Sequence, residues 1–141
     1  MIKVLIADDH LRVRRGLKQL CEMMGDVCVA GEAGDGDEVL QVLQEAHYDL
    51  LLLDLSMPGL SGIELVRHAR ARSAKVPILV LSMHTEVPIV ERAIRAGAAG
   101  FVGKGGDNET LMDAIRSVAA GGHYVDPVIA QHLMFDQTAV A

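Results

Sequence analysis

A chain of 141 residues, half of them hydrophobic and 23% charged, has room for one domain with its own core and not for two ordinary ones. Aromatic residues amount to 3%, with no Trp, so the core must be aliphatic and a nucleic-acid binder built on base stacking is excluded. The net charge of −6 likewise argues against the whole chain being a phosphate-backbone binder.

In chain order, residues 1–10 are a strand-like run ending in acids. They lack a signal-peptide layout, and no apolar run reaches bilayer length, so the expected location is the cytoplasm, with no membrane partner. Within that run residues 3–7 (KVLIA) are continuously apolar. Residues 11–24 place Val13, Leu17, Leu20, Cys21 and Met24 at helical spacing. Arg12, Arg14, Arg15 and Lys18 form a basic polar face; Arg12, Arg14 and Arg15 read as a solvated helix face, with a kinase-docking patch as the competing reading, and Gly25 stands at the stop. Cys21 and Cys28 lack the C-x-x-C spacing of a zinc or redox site and read as small buried hydrophobes without a disulfide. Residues 27–30 read as a second strand before a Gly-rich acidic turn, 37–46 as a helix, and 49–53 (DLLLL) as the most apolar strand. The turn formers of residues 56–62 (SMPGLSG) predict a loop. Residues 63–72 are helical, 76–81 (VPILVL) form a fourth strand, and 87–96 a short helix with Pro88 in its first turn. Residues 100–102 are a brief fifth strand, and 108–120 a last full helix stopped by Gly121-Gly122. Strands apolar at every position are buried on both faces, so five strands alternating with five helices predict a doubly wound α/β fold with a parallel sheet.

Ligands of open parallel sheets bind beyond the carboxyl ends of the strands. Strand 1 ends in Asp8-Asp9, strand 3 in Asp54 and strand 4 in Ser82, and strand 5 leads into Lys104. Any one of these could mark only where a strand meets water; all five on one edge point to a site. Three aspartates in one cleft repel one another unless a cation sits among them. Hard carboxylate oxygens, with no His or Cys at ligand spacing, suit Mg²⁺. A carboxylate beside Mg²⁺ and a lysine is a competent nucleophile toward phosphorus, giving an acyl phosphate whose oxygens the metal and lysine hold.

Asp8-Asp9, then Asp54-Leu-Ser-Met-Pro-Gly, then Ser82, then Phe101-Val-Gly-Lys104 resemble the two-component response regulator receiver domain, over residues 1 to about 121. The resemblance implies a flavodoxin-like, five-stranded sheet in the order 2-1-3-4-5. It implies that Asp54 accepts a phosphoryl group from a sensor histidine kinase, that Asp9 ligates Mg²⁺ directly and Asp8 through water, and that the Ser56 carbonyl completes the metal site. Ser82 would hydrogen-bond the phosphoryl oxygen and Lys104 pair with it. Phe101 would be the rotating switch aromatic, turning inward as Ser82 moves toward the phosphate. The chain departs from the common pattern at Met83, where many receivers carry a small residue, and at Gly105-Gly106, which replace a proline after the lysine. Ser56 and His84 occupy positions that tune acyl-phosphate lifetime in this family.

Other phosphate motifs fail. Gly103-Lys104 lacks the upstream glycine and the following Ser/Thr of a P-loop, and Gly31, Gly34 and Gly36 have the wrong order for a dinucleotide fingerprint. Asp54-Leu55-Ser56 lacks the second acid of a D-x-D phosphatase.

After Gly122, Asp126 as N-cap and Pro127 at the first helical position predict a short helix over 128–135, and 135–141 (FDQTAVA) look unstructured. Residues 81–86 (LSMHTE) and 121–127 (GGHYVDP) resemble the NarL/FixJ (LuxR-type) branch. There a linker, here 122–141, leads to a DNA-binding helix-turn-helix domain absent from these residues. The expectation is therefore the regulatory part of a longer transcriptional regulator, dimerising on phosphorylation and catalysing only its own phosphorylation and dephosphorylation. The competing readings are a stand-alone or pseudo-receiver interaction module and an enzyme on small phosphorylated substrates.

Overall fold

The alternating apolar runs assemble into one parallel sheet, seen in a computed structural model that describes residues 1–57, 62–72 and 75–140. Its strands are β1 (Ile2–Ala7), β2 (Val27–Ala33), β3 (Leu50–Asp54), β4 (Ile78–Ser82), β5 (Gly100–Gly103) and β6 (Tyr124–Val125), in the order β2-β1-β3-β4-β5-β6. Between and after them run α1 (Leu11–Met24), α2 (Gly36–Glu45), α3 (Gly62–Arg72), α4 (Val87–Ala96), α5 (Asn108–Ala119) and α6 (Pro127–Val140). Every residue of β3 and β4 is buried, as continuous apolar runs in a two-sided sheet require.

The period of two along each strand divides the core between the faces. Leu5, Ala7, Leu51, Leu53, Ile78, Val80 and Phe101 share one cluster with Val39, Leu65, Val66 and Val90 of α2, α3 and α4. Val4, Ile6, Leu50, Leu52, Leu79, Leu81 and Val102 share the other with Leu20 and Cys21 of α1 and Ile115 and Val118 of α5. Helix starts follow local chemistry: Asp35 Oδ1 accepts the Glu38 N–H at 2.8 Å and Asp107 Oδ1 the Thr110 N–H at 2.7 Å.

Three expectations are corrected. The sheet has six strands, not five, because Tyr124–Val125 pairs in parallel with Gly100–Phe101; two half-buried residues are too few to show a strand period. The second strand continues to Ala33, its register shifting between Val4 and Leu5 of β1 so that Gly31 and Glu32 pair opposite Leu5 and Ile6. The final helix runs to Val140, where an unstructured end was expected. Nothing after Pro127 is Gly or Pro, so no strong helix breaker interrupts the helix once it has begun. Of the loop predicted over 56–62, residues 58–61 lie outside the described residues. No helix among the described residues is long and apolar enough to cross a membrane.

Candidate functional site

Strand register gathers the reactive residues on one edge. Ala7 pairs opposite Leu53, Asp54 opposite Leu81, and Ser82 opposite Gly103, so the groups after β1, β3, β4 and β5 emerge together. Lys104 bridges two of the acids: its Nζ lies 3.1 Å from Asp8 Oδ2 and 3.2 Å from Asp54 Oδ1. The Lys104 N–H also donates to the Ser82 carbonyl at 3.0 Å, which ties the lysine to the end of β4. Burial pulls the ammonium's pKa down, but the hydrogen bond to Asp8 and the charges of Asp54 and Asp8 outweigh it and hold the pKa above the ordinary lysine value.

The two buried carboxylates differ in their partners. Asp8 Oδ1 accepts the His10 N–H at 2.8 Å, and Arg14 Nη1 donates to the Asp8 carbonyl at 2.5 Å. Asp54 Oδ1 accepts the Ser56 N–H at 3.1 Å, which folds the loop after β3 against the site. Asp54 Oδ2 is buried and has no hydrogen-bond partner. Asp9 is exposed at the rim, and Ser82 is fully buried, its Oγ accepting the His84 N–H at 2.9 Å.

Residues 4–116 match the family model described as the response regulator receiver domain. The chain belongs to that family. Response regulator UvrY of Escherichia coli K12 is 38% identical over 137 residues, covering 97% of this chain and 63% of UvrY, so the chain spans under two thirds of that relative. A two-component response regulator of the LuxR family from Aurantimonas superposes with a TM-score of 0.92 at 34% identity, covering 96% of this chain and 97% of that one. The RcsB response regulator of Salmonella typhimurium, in a structure concerned with conformational dynamism for DNA interaction, gives 0.88 at 28% identity, covering 94% and 65%. These relatives set the receiver in the NarL/FixJ (LuxR-type) branch.

The receiver's acidic edge fits a divalent cation. Ligand atoms of Asp8, Asp9, His10 and Asp54 all lie within 4.8 Å of one another. The buried, unpartnered Asp54 Oδ2 is the kind of orphan that costs about 1–3 kcal/mol unless something pairs with it. Carboxylate oxygens, with a backbone carbonyl at Ser56 close by in the chain, are the donors hard cations take.

One neighbour was not singled out from the sequence and another was read differently. His10, given no role there, places Nδ1 3.1 Å from Asp9 Oδ1; its position directly after the two acids was the available signal. Arg14 is not part of a solvated face: besides Asp8 it reaches Glu32 at 3.3 Å, a contact set by the α1–β2 packing that periodicity does not report. His84 points elsewhere, with Nδ1 3.9 Å from Glu86. Met83 is 69% exposed beside Ser82 and stands at the rim. Phe101 lies fully buried, in one cluster with Val90, Ala93 and Ile129 of α4 and α6.

Proposed function

We propose that this receiver is activated by phosphorylation of Asp54, the phosphoryl group coming from a phosphohistidine of a sensor histidine kinase. The supporting observation is the inequality of the two Asp54 oxygens. Oδ1 is committed to Ser56 and Lys104, while Oδ2 has its lone pairs free at the same edge. Attack by a carboxylate oxygen of Asp54 forms an O–P bond as the P–N bond breaks, and the imidazole leaves with the electron pair, yielding an acyl phosphate. Lys104, already between Asp8 and Asp54, would pair with a phosphoryl oxygen. The Ser82 hydroxyl, whose oxygen accepts from His84, retains its proton for a second one. Asp9, Asp54 and the Ser56 carbonyl would hold Mg²⁺, with Asp8 acting through water. When bound, the ion neutralises charge developing on the phosphoryl oxygens.

Movement of Ser82 toward the phosphoryl group would alter the packing around Phe101, a two-state element biased by new charge. Residues 1–121 then form the phosphoacceptor domain, and 122–141 a connector that packs on it through β6 and Ile129 of α6. The linker leads to a DNA-binding output domain, a reading supported by the greater length of UvrY and RcsB. Phosphorylation would favour a symmetric homodimer. Reversal, by attack of water on the acyl phosphate, would be the only other reaction this site performs.

Incubation with Mg²⁺ and acetyl phosphate, followed by intact mass, tests the reading. One phosphoryl adduct, absent in Asp54→Asn, is expected, together with a shift toward dimer in sedimentation. No adduct would favour an interaction module, and turnover without an adduct an enzyme of small phosphorylated substrates.

A further inference from the structure

Arg14 belongs to the first turn of α1, yet its guanidinium reaches back to the turn after β1, where Nη1 donates to the Asp8 carbonyl at 2.5 Å. The same group is held from its other side: Nε donates to Glu32 Oε1 at 3.3 Å, and Lys18 Nζ holds Glu32 Oε2 at 3.1 Å. Glu32 stands there because of the register shift in β2. Val4 pairs with Val29 but Leu5 with Gly31, so Ala30 is passed over and Glu32 falls opposite Ile6. Paired residues of parallel strands face the same side, and Ile6 packs with Leu20 and Cys21 of α1. An unshifted register would set Glu32 opposite Ala7, on the side of α2, α3 and α4 and away from α1.

The consequence falls on one peptide plane. The Asp8 N–H donates to the Ala33 carbonyl at 3.0 Å, and Arg14 fixes the carbonyl of the next peptide, the one that carries Asp9. The Asp9 side chain is 28% exposed at the rim, so packing does little to aim its carboxylate and the peptide before it does more. Mg²⁺ demands near-octahedral geometry, so a ligand already in place needs less rearrangement to meet it. Resting on the reading that Asp9 holds Mg²⁺ for phosphorylation of Asp54, we propose that Arg14 is a positioning residue for that reaction. Clamped by Glu32, it holds the Asp8–Asp9 peptide so that Asp9 meets the ion without reorganisation; it touches neither the ion nor the phosphoryl group. Its charge alone would act in the opposite sense, since a cation beside the site repels Mg²⁺. The sign of a substitution therefore separates the two roles.

Mg²⁺ titration of the chain at about 0.15 M salt, followed by amide resonances, gives the affinity and shows which variants fold. Arg14→Ala should weaken Mg²⁺ binding about threefold or more. Arg14→Lys should weaken it as much, because a lysine keeps the charge but cannot span the Asp8 carbonyl and Glu32 together. Glu32→Gln should give a smaller loss in the same direction, and none on top of Arg14→Ala; it carries the test if Arg14→Ala does not fold. With acetyl phosphate, the Mg²⁺ concentration for half-maximal phosphorylation should rise by the same factor, while the rate at saturating Mg²⁺ stays within about twofold of wild type. Tighter binding or a loss below threefold in Arg14→Ala, wild-type affinity in Arg14→Lys, or a loss confined to the saturating rate would overturn the positioning role and leave the proposed phosphorylation standing. A wild type that takes up neither Mg²⁺ nor a phosphoryl group would overturn both.

Discussion

The N–H of Asp126 donates to the carbonyl of Phe101 across 3.0 Å, so the start of α6 is fastened to the residue that carries the buried ring. Asp126 is itself buried, its Oδ1 accepting the Val128 N–H at 3.0 Å. Behind it a cavity of about 350 Å³ opens among Ser82, Thr85, Gly103, Lys104, Asp126 and Ile129. The helix is thus set against the groups that contact a phosphorylated Asp54 under the proposed function.

Ile129, 3% exposed in the cluster that holds Phe101 and Val90, is the apolar anchor of α6. Ile129→Ala should lower the unfolding free energy in urea by about 2–4 kcal/mol. Amide exchange in α6 should accelerate while β1 and β3 stay protected. A change below about 0.5 kcal/mol, as for an exposed site, would mean that the helix is not packed there.

What sequence reading captured and missed follows physical lines. The core strands were legible because β3 and β4 are apolar throughout, and the acidic edge because Asp8, Asp9, Asp54 and Lys104 fall where strands end. Strand β6 was not, since Tyr124 and Val125 become a strand only by pairing with Gly100 and Phe101, a partnership that leaves no local pattern. Arg14 shows the same limit: helical spacing placed it on the polar face, but the approach of Glu32 and the Asp8 carbonyl made it part of the site.

Lys104 bridges two carboxylates whose side chains are 2% and 1% exposed and offsets one of their two charges. Lys104→Met in EDTA should therefore cost about 3 kcal/mol, since two buried like charges would face each other uncompensated. Adding Asp54→Asn to that variant removes one of the charges and should restore a large part of the loss. Urea unfolding of the two single variants and the double variant gives the coupling. Strict additivity would mean that the lysine does not stabilise Asp54.

Gly100 lies where β4, α5 and β6 meet. A Cβ there would stand 2.7 Å from Leu79 Cδ1, 2.9 Å from Val118 Cγ2 and 3.0 Å from the Tyr124 carbonyl oxygen. The two side chains can rotate, but the carbonyl belongs to the strand. Gly100→Ala should cost about 1–3 kcal/mol by overpacking. It should also expose the Tyr124 N–H, which now donates to Ala99 at 3.1 Å, to faster exchange. Unchanged protection at Tyr124 would show that β6 accommodates the methyl group.

Cys21 is 1% exposed, and its thiol is pushed up to about 11 from an ordinary 9.0, first by burial and then by Cys28 and Glu22. Cys28 is only partly buried. At pH 8 iodoacetamide should therefore modify Cys28 alone in the folded protein, and Cys21 only after unfolding. The same shift links stability to pH. In the unfolded chain Cys21 ionises near its ordinary value, so between about pH 9 and 11 the unfolded state holds fewer protons than the native one and stability falls as pH rises. Lys104, also raised when folded, acts in the same direction but only above its ordinary 10.5. Tyr124, raised from its ordinary 10.0 chiefly by burial, adds to the loss as pH approaches 10. Cys21→Ala should therefore reduce the slope between pH 9 and 10 in urea midpoints without abolishing it, and leave the slope below about pH 8 unchanged. Equal slopes in the two proteins from pH 9 to 10 would assign the loss to other groups.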